Sequence, residues 1–225
     1  MRSLLLACAL VGAACGSDAK TPTVDAAAEI DAPAVTLDCP TYCTTIQKNC
    51  TGANAQYGGA TADDALAHCM ATCGKMTAGA LADTSGNTLG CHLYHAGAAA
   101  SAAATHCIHA GPAGGAVSGT GVCGDSCTNF CALEIGACGL SGAAATGQYA
   151  SMGECMTACN GFDKTHAFTV EATAYPSTNP KGDSLACRLY HATNAAISAA
   201  NATTHCPHTA ATTAAGNPCN GAATP

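Results

Sequence analysis

Nine histidines are spread along 225 residues, and six of them form two sets of three: His95, His106 and His109, then His191, His205 and His208. Each set sits in the same surroundings. Leu89-Gly90-Cys91-His92-Leu93-Tyr94-His95-Ala96 pairs with Leu185-Ala186-Cys187-Arg188-Leu189-Tyr190-His191-Ala192. Thr105-His106-Cys107-Ile108-His109 pairs with Thr204-His205-Cys206-Pro207-His208. Three imidazoles suit Cu, Zn or another borderline ion. Three protein ligands also leave one position open, as catalytic zinc sites do. His95 comes one turn after Cys91, so it points the same way as a buried sulfur. His106 and His109 bracket Cys107, whose bridge would fix their backbone. On this reading Tyr94 and Tyr190 are outer partners or a fourth ligand. A second reading is structural: a histidine can bond a loop carbonyl and hold an irregular segment. Leu93 and Tyr94, like Leu189 and Tyr190, then read as core. His68, His92 and His166 have no counterpart.

Other reaction chemistry is absent from the sequence. There is no Gly-x-Ser-x-Gly, His-Glu-x-x-His, phosphate loop or dinucleotide fingerprint. Asp63-Asp64 reads as a helix start, where the helix dipole favours anions. Gly111-Pro112-Ala113-Gly114-Gly115 follows no strand and reads as a loop. Charged residues make up 9% of the chain, which leaves few acid–base groups, and the formal charge of −7 excludes a basic nucleic-acid footprint. No run of about 20 apolar residues offers an integral membrane span. The chain reads as a non-enzyme.

What positions the histidines is sulfur. Hydrophobic residues are 48% of the chain, but many are Ala, which buries little area; Trp is absent and Phe occurs 3 times. A core of large side chains cannot be built, and 18 Cys suggest covalent staples instead. Setting Cys8 and Cys15 aside leaves two sets of eight. The first is Cys39, Cys43, Cys50, Cys69, Cys73, Cys91, Cys107 and Cys123. The second is Cys127, Cys131, Cys138, Cys155, Cys159, Cys187, Cys206 and Cys219. Each opens Cys-x3-Cys-x6-Cys and continues with a second Cys-x3-Cys. The step from the sixth to the eighth Cys is the same in both. This is an internal duplication. Zinc knuckles, thioredoxin-type redox pairs and covalent haem attachment all use Cys-x2-Cys, which occurs nowhere here, so the sixteen are read as disulfides.

Cys-x3-Cys places two sulfurs one turn apart on a helix face. Helix 1 is expected from about Pro40 to Asn49, with Cys43, Ile46 and Cys50 on one face. Thr61 caps a second helix running through Leu66, Cys69, Met70 and Cys73 to Gly74. A third begins near Thr88 and continues through the Ala-rich stretch 98–104. Residues 105–122 read as loop. The second copy repeats the plan, with helices from about Ser126, Met152 and Ser184. It has a longer stretch between Cys159 and Cys187, containing Pro176 and Pro180, which reads as a surface loop. Paired helices that each carry Cys-x3-Cys resemble small α-hairpin scaffolds, and the resemblance implies Cys39–Cys73 and Cys43–Cys69. Cys50–Cys91 with Cys107–Cys123 is the preferred pairing of the rest. Gly124-Asp125-Ser126 alone separates the copies, so tandem packing is expected.

The N-terminus reads as an export signal: Arg2, then the apolar run Leu4 to Val11, then small residues before Cys15. Gly12-Ala13-Ala14-Cys15 resembles the lipobox of bacterial lipoproteins, with Gly12 where Leu is commoner. The resemblance implies a lipidated Cys15. The Ala-, Thr-, Pro- and Asp-rich segment up to Asp38 buries too little area to order itself and reads as a tether. Its style is similar to tethers on surface lipoproteins of myxobacteria and relatives.

The expected organisation is a signal peptide over 1–14, a lipidated Cys and disordered tether over 15–38, repeat 1 over 39–123 and repeat 2 over 124–225. The expected fold class is mainly α: two tandem disulfide-stapled repeats, each an α-hairpin plus a third helix and a Cys-rich loop. The expected function is a non-enzymatic structural or binding module, held by lipid to the outer membrane of a bacterial cell envelope, and facing an unknown envelope or extracellular ligand. The alternative is a Cu- or Zn-binding protein with one three-His site per repeat.

Overall fold

The computed structural model describes residues 35–168, 182–213 and 215–221. The expected signal peptide, Cys15 and most of the tether lie outside these residues, as do Pro176 and Pro180. The described residues hold eight α-helices and no strand: α1 (Cys39–Asn49), α2 (Ala62–Cys73), α3 (Leu89–Ala98), α4 (Ala103–Ala110), α5 (Ser126–Cys138), α6 (Met152–Asn160), α7 (Leu185–Ala195) and α8 (Ala199–His205). Short 3-10 turns cover Gly52–Asn54 and Cys206–His208. None of these helices is long and apolar enough to cross a membrane.

Local chemistry sets the helix starts. Asp38 accepts from the Thr41 amide at 2.8 Å, with Pro40 in the first turn of α1. Thr61 and Asp64 form a reciprocal capping box on α2. Thr88, Asp125, Ser151, Ser184 and Ser198 cap α3, α5, α6, α7 and α8 in the same manner. The exception is α4, where Ala102 offers no side-chain acceptor.

The expected class, a mainly helical fold stapled by disulfides, is what the structure has. Eight bridges engage all sixteen cysteines. Cys39–Cys73 and Cys43–Cys69 tie α1 to α2, and Cys127–Cys159 and Cys131–Cys155 tie α5 to α6. The remaining pairing corrects the sequence reading. Cys50 joins Cys107 and Cys91 joins Cys123, not Cys50 to Cys91 and Cys107 to Cys123. The cause is α4. Helix α3 stops at Ala98, a turn intervenes, and residues 103–110 form a separate helix where the end of the third helix and then a loop were expected. That helix packs back on α1 and α3, which brings Cys107 to the end of α1. Repeat 2 agrees, with Cys138–Cys206 and Cys187–Cys219.

The sulfurs fill the interior. One buried cluster gathers Tyr42, Ile46, Tyr57, Leu89 and Leu93 around Cys43, Cys69, Cys73 and Cys107. A second gathers Phe130, Tyr149, Leu185 and Leu189 around Cys127, Cys131, Cys155 and Cys159. Ala113 and Val117, from the tail of repeat 1, belong to the second cluster, so the copies pack together. The two cores solve one problem with different residues. In repeat 1 the Tyr42 hydroxyl donates to the Ala110 carbonyl at 2.6 Å. Phe130 takes the matching place in repeat 2, and there Tyr149 donates to the Thr209 carbonyl at 2.6 Å. Both aromatic pairs are edge-to-face, Tyr42–Tyr57 at 6.3 Å and Phe130–Tyr149 at 6.4 Å.

Candidate metal centres

The antiparallel packing of α3 and α4 brings His95, on α3, against His106 and His109, which lie three residues apart on one face of α4. Cys107 sits between those two and is bonded to Cys50, so the α4 backbone is fixed on α1. In repeat 2, His191 on α7 meets His205 at the end of α8 and His208 in the following 3-10 turn; Cys206–Cys138 anchors that segment. Within each triad one nitrogen per ring can be chosen so that all three lie within 4.8 Å of one another.

The contacts are closer than that limit. Nδ1 of His95 is 2.9 Å from Nδ1 of His106. Nδ1 of His191 is 2.8 Å from Nδ1 of His205 and 3.1 Å from Nδ1 of His208. Two imidazole nitrogens at this distance share at most one proton. In repeat 1 the tautomer follows from the other side of the ring. Nε2 of His95 is 3.2 Å from the Thr84 carbonyl, which can only accept, so Nε2 carries the hydrogen. The Nδ1 lone pair of neutral His95 then faces His106. A backbone carbonyl that fixes the far side of the ring in this way is typical of metal-ligating histidine. Nδ1 of His109 is buried without a hydrogen-bond partner. In repeat 2 Nδ1 of His191 faces two ring nitrogens, and in either tautomer it has one in-plane hydrogen or one lone pair to offer, so one neutral hydrogen bond cannot satisfy all three rings.

Burial disfavours the charged imidazoles. His95 and His109 are held below the usual histidine range by desolvation first; for His109 the neighbouring His95 and His106 add to it. His191 is driven down to about 3 by burial, then by His208 and His205. His205 and His208 are also lowered, chiefly by burial. Neutral rings with lone pairs aimed inward are the form a cation needs.

The six histidines singled out in the sequence are therefore brought together as two triads. Tyr94 and Tyr190 stand edge-on to His95 and His191, each at 5.1 Å between ring centres. The expectation that both tyrosines are core holds for Tyr190, 9% exposed, and fails for Tyr94, 49% exposed. His68 and His92 escaped the sequence reading because neither has a copy. Both are buried, and His92 bonds the Ala110 carbonyl at 3.1 Å. Its counterpart Arg188 bonds the Ala210 carbonyl at 3.0 Å and pairs with Asp183 at 2.7 Å. The Thr84 carbonyl was also missed, since a backbone acceptor leaves no mark in residue type. A cavity of about 270 Å3 beside Gln47, Gln56 and Tyr57 contains none of the six histidines.

Residues 17–129 match the model of the BfoA family C-terminal domain. No curated protein and no solved structure matches the chain.

Proposed function

The chain belongs to the BfoA family through its C-terminal domain, and from that premise we propose that it is a non-enzymatic transition-metal-binding protein of the cell envelope. Each repeat supplies one three-His site, built from His95, His106 and His109 or from His191, His205 and His208. Lipid on Cys15 holds the chain at the membrane, and the segment before Cys39 spaces the repeats from it. The family match brings no activity with it.

One observation carries the reading. Three imidazole nitrogens meet at one point, twice, and in repeat 2 two Nδ1–Nδ1 contacts of 2.8 and 3.1 Å converge on a single ring. Protons satisfy such a set poorly; a cation accepts all three lone pairs. A tetrahedral ion with bonds of about 2.0–2.1 Å sets nitrogen–nitrogen edges of about 3.3 Å. The observed contacts are a few tenths of an ångström shorter, within reach of small ring rotations.

Structural histidine is the competing reading, and the His95–Thr84 bond is compatible with both. Metal content separates the two. The oxidised chain, incubated with Zn(II) or copper and then desalted, should retain two ions. His95→Ala and His191→Ala should each retain one, and the double variant none. An unloaded wild-type chain whose melting temperature still falls in the variants would return both triads to a structural role.

A further inference from the structure

We infer that the ion these sites select is monovalent copper. The inference rests on the metal-site reading and concerns which ion the donor set prefers.

The first ground is charge. Among the described residues, the donor groupings at the sites contain His and Cys and no carboxylate. The cysteines are those of the Cys91–Cys123 and Cys187–Cys219 bridges, so neither supplies a thiolate. Two ionisable groups packed around the second repeat's helices have partners other than the imidazoles. Arg188, one turn before His191, is paired with Asp183, and Glu134 is bonded to the Thr209 hydroxyl rather than to an imidazole. Three neutral nitrogens leave an ion with its whole charge. The Born cost of holding it away from water grows with the square of that charge, about fourfold from a monovalent to a divalent ion. His95 and His191 are buried and the other two histidines of each triad are half-buried, so part of that cost is felt.

The second ground is coordination number. Zn(II) on three histidines must complete its tetrahedron with a water. Each triad offers three. Monovalent copper, with a filled d shell, is satisfied by three nitrogens in a plane.

The third ground is the character of the walls. A ring nitrogen of His95 lies within 4.8 Å of both sulfurs of the Cys91–Cys123 bridge, and His191 is placed likewise beside Cys187–Cys219. The rings of Tyr94 and Tyr190 stand in T-shaped contact with His95 and His191. Sulfur and aromatic carbon are polarisable and poorly hydrated. They suit a soft, weakly hydrated ion better than a hard one.

The test uses the full oxidised chain under anaerobic conditions. Monovalent copper is delivered as its acetonitrile salt, without any thiol reductant, so the bridges stay closed; bicinchoninate competes for it. Zn(II) and Cu(II) are titrated in parallel against their own competitors. Two equivalents of monovalent copper should be held more tightly than Zn(II), the order expected when burying charge is costly. X-ray absorption of the loaded chain should show three nitrogen neighbours at about 2.0 Å and no fourth ligand. Tighter retention of Zn(II) or Cu(II), or a fourth neighbour around bound copper, overturns the choice of ion and leaves the metal reading standing. Retention of none of the three ions overturns both.

Discussion

The hydroxyl of Thr209 stands 3.3 Å from Oε1 of Glu134, and both residues are sealed from water. Glu134 is 0% exposed, and its second oxygen has no hydrogen-bond partner. Burial raises its carboxyl to about 7, against the opposing pull of Thr209. A raised folded value stabilises fully below the unfolded value near 4.5, and that stability is lost as pH rises toward about 7. The loss is at most about 3.5 kcal/mol, from about 1.4 kcal/mol per unit. Glu134→Gln keeps the shape and removes the titration. In urea unfolding the variant should match wild type near pH 4 and exceed it at pH 8. An equal difference at both values would show that charge is not the cause.

His68 and His92 set the opposite slope. Burial lowers each to about 4. A depressed histidine stabilises above its unfolded value of 6.5, and this stability drains away as pH falls toward 4. Thermal unfolding followed from pH 7 to pH 4 should show falling melting temperature in the wild type. His68→Gln should flatten that fall while lowering the melting temperature at pH 7, because a buried, packed ring is lost.

The bridges differ in reach. Cys43–Cys69 spans 26 residues and Cys50–Cys107 spans 57. On the chain-entropy model their removal costs roughly 3.5 and 4 kcal/mol. The long bridge has a second duty, since Cys107 lies between His106 and His109. Replacing Cys50 and Cys107 with Ala should remove one ion of two, the one at His95. Replacing Cys43 and Cys69 should leave both. Metal content after desalting, beside the melting temperature of each variant, decides it.

Tyr42→Phe removes a buried hydroxyl that reaches both the Ala110 carbonyl and the Tyr57 hydroxyl, at 2.6 and 2.9 Å. The expected cost is about 1–3 kcal/mol. Phe130 already fills this place in repeat 2, where Tyr149 supplies the bond, so Tyr149→Phe should cost a similar amount. Denaturant midpoints of the two variants test the equivalence.

These residues also show what the sequence could reveal. Helices with a capping side chain were readable: Asp38, Thr61, Thr88 and Ser184 mark their starts, and the Cys-x3-Cys spacing marks the stapled faces. Helix α4 was hidden because Ala102 gives no cap and the preceding Ala-rich stretch continues the helical composition of α3. With α4 missing, the pairing of Cys50, Cys91, Cys107 and Cys123 could not be read correctly. The triads themselves were visible because duplication repeats them. Glu134, His68 and His92 were invisible for the converse reason. Each stands alone in sequence, and its chemistry comes from neighbours that only folding brings close.

The eight bridges have one more consequence. Together they span every peptide bond from Cys39 to Cys123 and from Cys127 to Cys219, and none crosses Gly124-Asp125-Ser126. A protease that nicks either half releases no fragment of that half, because the pieces stay linked until reduced. A nick at the junction alone removes the covalent link between two closed lobes, each carrying its own histidine triad, and leaves them joined by noncovalent packing such as that of Ala113 and Val117 into the second core.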